Sequence, residues 1–317
     1  MDAEQLRWIA EATGAERARE GERVQSLWSG YGAIFRVSLT GAAMESVIAK
    51  CVEPPARSRD AAASHRRKVR SYHVETAWYR TMAPRCDETC RVPRLLGARV
   101  AGDRWLLALE DLDAAGFAER RRSPKPAEVD ACLAWLAAFH ARFLGSPPEG
   151  LWKVGTYWHL ATRTDELPMI ADGGLRSAAP AIDRALREAN FQTLVHGDAK
   201  PANFCFARGG RAVAAVDFQY VGGGCGMKDV AYLLASPGSY DAPAEQRHLD
   251  GYFAHLRGAI TARDARVDVD ALEREWRAIY PIACADYYRF LAGWAPDHWR
   301  SEAHGQRVVR EVLRTLG

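Results

Sequence analysis

The sequence predicts an α+β protein in two lobes, a small antiparallel sheet over residues 1–110 followed by a larger, mainly helical part over 111–317. Three observations carry this. Two pairs of β-prone runs lie before residue 111, each pair joined by a short turn. Five long stretches with apolar residues at helical spacing follow it. Between the helical stretches, two short β-prone runs flank the densest polar motif in the chain.

In the first part, Ile34 to Leu39 and Val47 to Val52 read as a hairpin around Thr40-Gly41-Ala42-Ala43. Leu95 to Val100 and Trp105 to Leu109 read as a second around Ala101-Gly102-Asp103, and His65 to Met82 between them has helical composition. In the second part, helices are expected over Ala127 to Leu144, Pro180 to Asn190, Ala244 to Ile260, Asp268 to Phe290 and His298 to Leu316. The short strands are Asn203 to Phe206 and Ala212 to Phe218, joined by Arg208-Gly209-Gly210.

Composition narrows the class. At 317 residues and 48% hydrophobic content the chain can bury a sizeable core. A formal net charge of +3 gives no ground for a nucleic-acid or membrane partner. The first twenty residues mix acids and bases without the apolar centre of a signal peptide, which together with the absence of a long apolar run predicts a cytoplasmic protein. Seven irregularly spaced cysteines read as reduced thiols, and the close pair Cys86 and Cys90 lacks the two further ligands a zinc site needs.

The chemistry is concentrated in LVHGDAKPANFCF, Leu194 to Phe206, and in AVDFQ, Ala215 to Gln219. Phosphoryl transfer needs a carboxylate to take the proton of the attacking hydroxyl and oxygen ligands to hold Mg²⁺ against nucleotide phosphates. Asp198 can be the base, while Asn203 and Asp217 can bind metal: D-x-x-x-x-N sets two of these groups on one loop, and the D-F-x aspartate comes from the neighbouring hairpin. Lys200 stands where a cation could meet the transferring group, and His196 is suited to bracing the loop.

These motifs resemble the aminoglycoside phosphotransferase and choline kinase superfamily, which has a protein-kinase-like fold. HGDAKPANF is similar to its HGDxxxxN loop, and DFQ resembles the ecdysteroid-kinase-like branch. The resemblance implies Asp198 as catalytic base, Asn203 and Asp217 as magnesium ligands, and Asp229 in GMKDVAYLL as a structural carboxylate steadying the loop. It implies Mg²⁺ and ATP as cofactors and a small-molecule hydroxyl as acceptor, with a protein kinase or a catalytically silent nucleotide-binding protein as the alternatives.

Weaker features fall in the same order. Gly30 and Gly32 in WSGYGAIFRV are expected in a turn over the phosphates, and Lys50 in Val-Ile-Ala-Lys on the strand that clasps them. Glu75 is the expected partner of Lys50, and Glu110 and Leu112 lie where backbone groups would meet the adenine edge. The basic run Arg66, Arg67, Lys68 and Arg70 reads as a wet helix face, able to meet an acidic partner. Acceptor contacts are expected from Tyr287, Tyr288, Trp294, Asp297 and Trp299, and from Trp152, Tyr157, Trp158 and His159. Gly222-Gly223-Gly224 reads as a flexible segment on the metal side, and a monomer or homodimer is expected.

Overall fold

In the computed structural model, which describes residues 1–55, 62–235, 242–263 and 266–316, side-chain alternation builds the first lobe. Helix α1 (Ala3–Thr13) is capped by Asp2, whose carboxylate accepts from the Gln5 amide. Strands β1 (Arg17–Ser26), β2 (Gly32–Thr40) and β3 (Ser46–Val52) follow, then α2 (Ala62–Ala77), which continues into a π turn over Trp78–Met82. Strands β4 (Leu95–Ala101) and β5 (Arg104–Glu110) complete an antiparallel sheet in the order β1-β2-β3-β5-β4.

On central β3, Val47, Ala49 and Cys51 join Ile9 of α1 in one apolar cluster, while Ile48 and Val52 pack in other clusters. Lys50 shares the parity of Ile48 and Val52, so the same alternation turns it toward α2. Both expected hairpins are present, but the sheet has a fifth strand the sequence did not announce. β1, Arg-Ala-Arg-Glu-Gly-Glu-Arg-Val-Gln-Ser, is almost wholly exposed and lies at the sheet edge, where charge discourages pairing with another chain.

The second lobe opens with β6 (Glu119–Arg120) and α3 (Pro126–Arg142), a helix buried on nearly every side. Then come α4 (Gly173–Arg187), β7 (Thr193–Val195), β8 (Phe204–Phe206), β9 (Val213–Ala215) and β10 (Gly222–Gly224). Helices α5 (Met227–Ala235), α6 (Ala242–Thr261), α7 (Val269–Trp294), α8 (Pro296–Ser301) and α9 (Ala303–Leu316) finish the chain. The fold is the expected one, a small antiparallel-sheet lobe and a larger helical lobe. Its core centres on stacked rings, Trp78 against Phe218 at 4.5 Å and Trp135 against Phe139 at 5.0 Å.

Three details differ from the sequence reading. α4 starts at Gly173, where Asp172 accepts from the Leu175 amide, so Pro180 lies inside the helix rather than at its head. The last expected helix breaks at Glu302, which lets the buried Gly305 seat against the Tyr288 ring. Gly222 to Gly224 form no loose loop but a strand antiparallel to β7, with Gly222 packed on the Trp152 carbonyl and on Gly155. A side chain there would collide with that backbone, so glycine serves close approach.

Candidate active site

β7 delivers the polar loop and β10 fixes its position. Gly197 follows at φ 82, and a Cβ on it would run into the Tyr220 carbonyl oxygen, so the middle residue of His-Gly-Asp has to be glycine. The His196 and Gly197 amides donate to the two Asp229 oxygens at 2.6 and 2.9 Å, and His140 Nε2 reaches Asp229 at 3.1 Å. Asp229, on α5, therefore holds the loop from below, and α3 contributes through His140. His196 Nδ1 accepts from the Asp198 amide at 3.2 Å while Nε2 meets the Val216 carbonyl at 3.1 Å. That pairing makes Nε2 the protonated nitrogen, and burial lowers the pKa of the ring, in keeping with a neutral imidazole.

Asp198 is buried, and its two oxygens differ. Oδ2 accepts from Lys200 Nζ and Asn203 Nδ2, both at 2.9 Å. Oδ1 is buried with no hydrogen-bond partner among the described residues. Burial raises the carboxyl pKa and nearby Asp217 adds to it, against the opposing pull of Lys200. Asn203 also donates to the Asp198 carbonyl at 2.8 Å, so its amide nitrogen is engaged and its oxygen is left as an acceptor.

Asp217 adopts a left-handed conformation, φ 69, held by Phe218 in the core, where the ring lies 4.6 Å from His196. Its Oδ1 is buried without a hydrogen-bond partner and stands 3.8 Å from Lys50 Nζ. Lys50 in turn closes on both Glu75 oxygens at 2.8 and 2.7 Å, with lysine and glutamate almost fully buried. Burial alone would pull the ammonium down, but the attraction of Glu75 and Asp217 outweighs it and holds the Lys50 pKa up.

The remaining expected residues fall around this centre. Gly30, in the turn between β1 and β2, and Gly32, the first residue of β2, take φ 72 and 128, with Ser29 also left-handed at φ 57. At the end of β5 the Glu110 amide is committed to the Arg94 carbonyl, and its carboxylate meets Arg91 Nη2 at 2.6 Å and the Arg94 amide at 3.0 Å. Among the described residues the Leu112 amide donates to no carbonyl. Neighbouring Asp111 is an anchor the sequence reading passed over, accepting from Arg36 Nε at 2.8 Å and Ser46 Oγ at 2.7 Å.

The aromatic residues divide. Tyr157 donates its amide to the Gly197 carbonyl at 3.0 Å, and its ring lies within about 6 Å of Tyr220, Tyr232 and Phe290. Trp158 is core, donating to Asp286 inside a buried group with Lys228 and Arg289. Asp297 is exposed and pairs with Arg300, and His159 pairs with Asp183 at 2.9 Å. Sequence reasoning missed Thr156, a β-branched residue at φ 89 whose turn presents Tyr157 to the loop. Nothing local in the sequence marks that strain.

The profile of the phosphotransferase enzyme family designated APH matches residues 32–265, most of the chain, a span that includes Lys50, Glu75, Asp198, Asn203, Asp217 and Asp229. The chain belongs to that family. The phosphotransferase is thus a small-molecule kinase by family. A putative fructosamine-3-kinase from Thermobifida fusca has a similar structure, with a TM-score of 0.55 and 17% identity over 96% of this chain and 98% of that one. An ethanolamine kinase from Plasmodium vivax gives a TM-score of 0.53 at 14% identity, over 95% and 83% of the two chains. At such identities the likeness is one of fold. No curated protein matches the phosphotransferase in sequence. No helix among the described residues is long and apolar enough to cross a membrane.

Proposed function

We propose that this phosphotransferase transfers the γ-phosphoryl group of ATP, with Mg²⁺, to a hydroxyl of a small molecule. The observation that carries the reading is the asymmetry of Asp198, one oxygen saturated by Lys200 and Asn203 and the other buried and unsatisfied. An acceptor hydroxyl donating to Oδ1 would fill that vacancy and be aimed for attack. Its proton passes to Asp198 as the new oxygen–phosphorus bond forms. The bond from phosphorus to the β–γ bridging oxygen breaks, and its electron pair leaves with ADP. Lys200 Nζ offsets negative charge gathering on the transferring group.

On the donor side, the Lys50 ammonium clasps the α- and β-phosphates in the orientation Glu75 imposes. Gly30 and Gly32 let backbone amides approach the phosphates. The adenine edge meets the backbone at Glu110 and Leu112, where the free Leu112 amide supports a donor role. On this reading the nucleotide-side lobe ends at Glu110 and residues 111–317 carry catalysis and acceptor binding.

The donor set suits magnesium. Asp217 has an orphaned oxygen and Asn203 a free carbonyl oxygen, and no group of three or more His, Cys, Asp or Glu among the described residues forms an all-protein cage. Two protein oxygens completed by phosphates and water is the usual arrangement for this ion. Bound there, it would supply positive charge to the phosphate oxygens.

The aromatic wall of Tyr157, Tyr220 and Tyr232 supports an acceptor with an apolar face over a polycationic aminoglycoside. The test is ADP release across a library of alcohols, with Asp198→Ala as control. That variant should lose about 10²–10⁴-fold in turnover while binding nucleotide normally. Full activity in the variant would remove Asp198 from the role of base.

A further inference from the structure

The basic run on α2 is not simply a solvated face. It turns toward the second lobe: Arg70 Nη2 donates to the Leu151 carbonyl at 2.9 Å, and Arg67 Nη1 approaches the Thr162 carbonyl at 3.4 Å. Next to Thr162 stands Arg163, whose Nε donates to the Tyr157 carbonyl at 3.2 Å and whose guanidinium lies 5.7 Å above the Tyr157 ring. The Tyr157 amide in turn bonds Gly197, the residue before Asp198. A continuous path of contacts thus leads from the carboxylate proposed as base to Arg163 and Arg67.

We infer that the acceptor carries an anionic group, a carboxylate or its equivalent, received by Arg67 and Arg163 while its hydroxyl faces Asp198. The inference rests on the phosphotransfer reading above and names the chemistry of the molecule that enters the same site.

The charge count favours it. Among the described residues, neither Arg67 nor Lys68 lies within ion-pair distance of a carboxylate, whereas Arg163 shares Glu166 at 3.0 Å. Among the described residues Arg67 makes only long bonds, 3.4 Å to Thr162 and 3.4 Å to Ser64 Oγ, so its planar fork is little engaged and can turn to a carboxylate. Lys68, beside it, reaches Ser29 Oγ at 2.7 Å and lies 4.5 Å over the Tyr31 ring, adding positive field from the side of the glycine turn. Burial and then the repulsion of Arg67 and Arg163 lower the Lys68 pKa.

Tyr220 joins the two ends. Its ring lies 6.0 Å from that of Tyr157, which bonds Gly197 through its amide and carries Arg163 over its face, and it stacks on Trp152 at 6.0 Å. A molecule lying along Tyr157 and Tyr220 would therefore meet aromatic surface in its middle, the base at one end and an unneutralised arginine at the other. A cationic acceptor would leave that arginine repelled. The other source of a matching anion is the triphosphate of the nucleotide, and the test separates the two.

The probes are two matched sets of alcohols assayed by ADP release from the full chain with Mg-ATP. One set is para-(hydroxymethyl)benzoate, its methyl ester and para-(aminomethyl)benzyl alcohol. The other is an ω-hydroxy fatty acid, its methyl ester and the amino alcohol of equal length. The carboxylate should have the highest kcat/KM in each set that is accepted. Arg67→Glu should raise its KM about tenfold or more, move the preference toward the amine and leave KM for ATP in place. Arg67→Gln should shift the carboxylate KM in the same direction by less, with melting curves showing that both variants fold.

Preference for the ester or amine by the unmodified enzyme overturns the inference. So does a KM effect of Arg67→Glu that falls on ATP instead, which would assign the arginine to the triphosphate. ATP hydrolysis without acceptor keeps the two claims apart. Turnover that depends on Asp198 but responds to no carboxylate defeats the anionic acceptor alone, whereas no Asp198-dependent turnover at all defeats the phosphotransfer reading.

Discussion

Lys50 is an ammonium almost wholly removed from water, tolerable because Glu75 grips it with both oxygens and Asp217 stands 3.8 Å away. Removing one partner of such a pair leaves a buried charge uncompensated, at a cost of about 3–5 kcal/mol. Lys50→Met should therefore lower the midpoint of chemical unfolding substantially. Adding Glu75→Gln should recover much of that loss while activity stays absent, because a neutral pair packs but cannot clasp phosphate. If the single variant melted like the parent, the pair would not be the buried one described. Lys50, Asp198, Asn203 and Asp217 could be picked out in the sequence as candidates since the chemistry proposed for them demands particular side chains in a set order. Thr156 and Arg163 were not, because what distinguishes them is a backbone angle and contacts with residues far along the chain.

β10 shows the same limit in an element. Three successive glycines read as a flexible stretch, since glycine restricts the backbone least. The partners that constrain Gly222, Trp152 and Gly155, lie some seventy positions away and leave no local trace. Gly222→Ala should destabilise the fold by roughly 1–3 kcal/mol, the range for overpacking a closely fitted site. Gly258, inside α6, has open space where its Cβ would go, and Gly258→Ala should stabilise by about 0.5–1 kcal/mol through helix propensity alone. A calorimetric melting point for Gly222→Ala at or above that of the parent would contradict the close packing at β10, and a fall for Gly258→Ala would contradict the open space in α6. The hairpins and long helices were readable because alternation and helical spacing follow from burial. β1 was hidden because an exposed edge strand buries almost nothing and so shows no pattern.

Across the whole molecule, the groups proposed to bind nucleotide sit on different lobes, Lys50 and the glycine turn on the first, Asn203 and Asp217 on the second. Contacts between the lobes at the cleft include Ser71 Oγ to Gln219 Oε1 at 3.2 Å and the Lys50–Asp217 approach. A ligand that bridges them should consequently stabilise the entire fold by mass action, about 2.7 kcal/mol at a hundred times its dissociation constant. Mg-ATP should raise Tm by several degrees, and EDTA should abolish most of that rise. Asp198→Ala should keep the rise, because the proton acceptor is not needed to hold nucleotide. Asp217→Asn should lose most of it, since asparagine tolerates the left-handed φ of 69 but brings no charge to the cation. A rise that survives both EDTA and Asp217→Asn would mean that nucleotide binds without the bridge between the lobes, and that the orphaned Asp217 oxygen answers to some other partner.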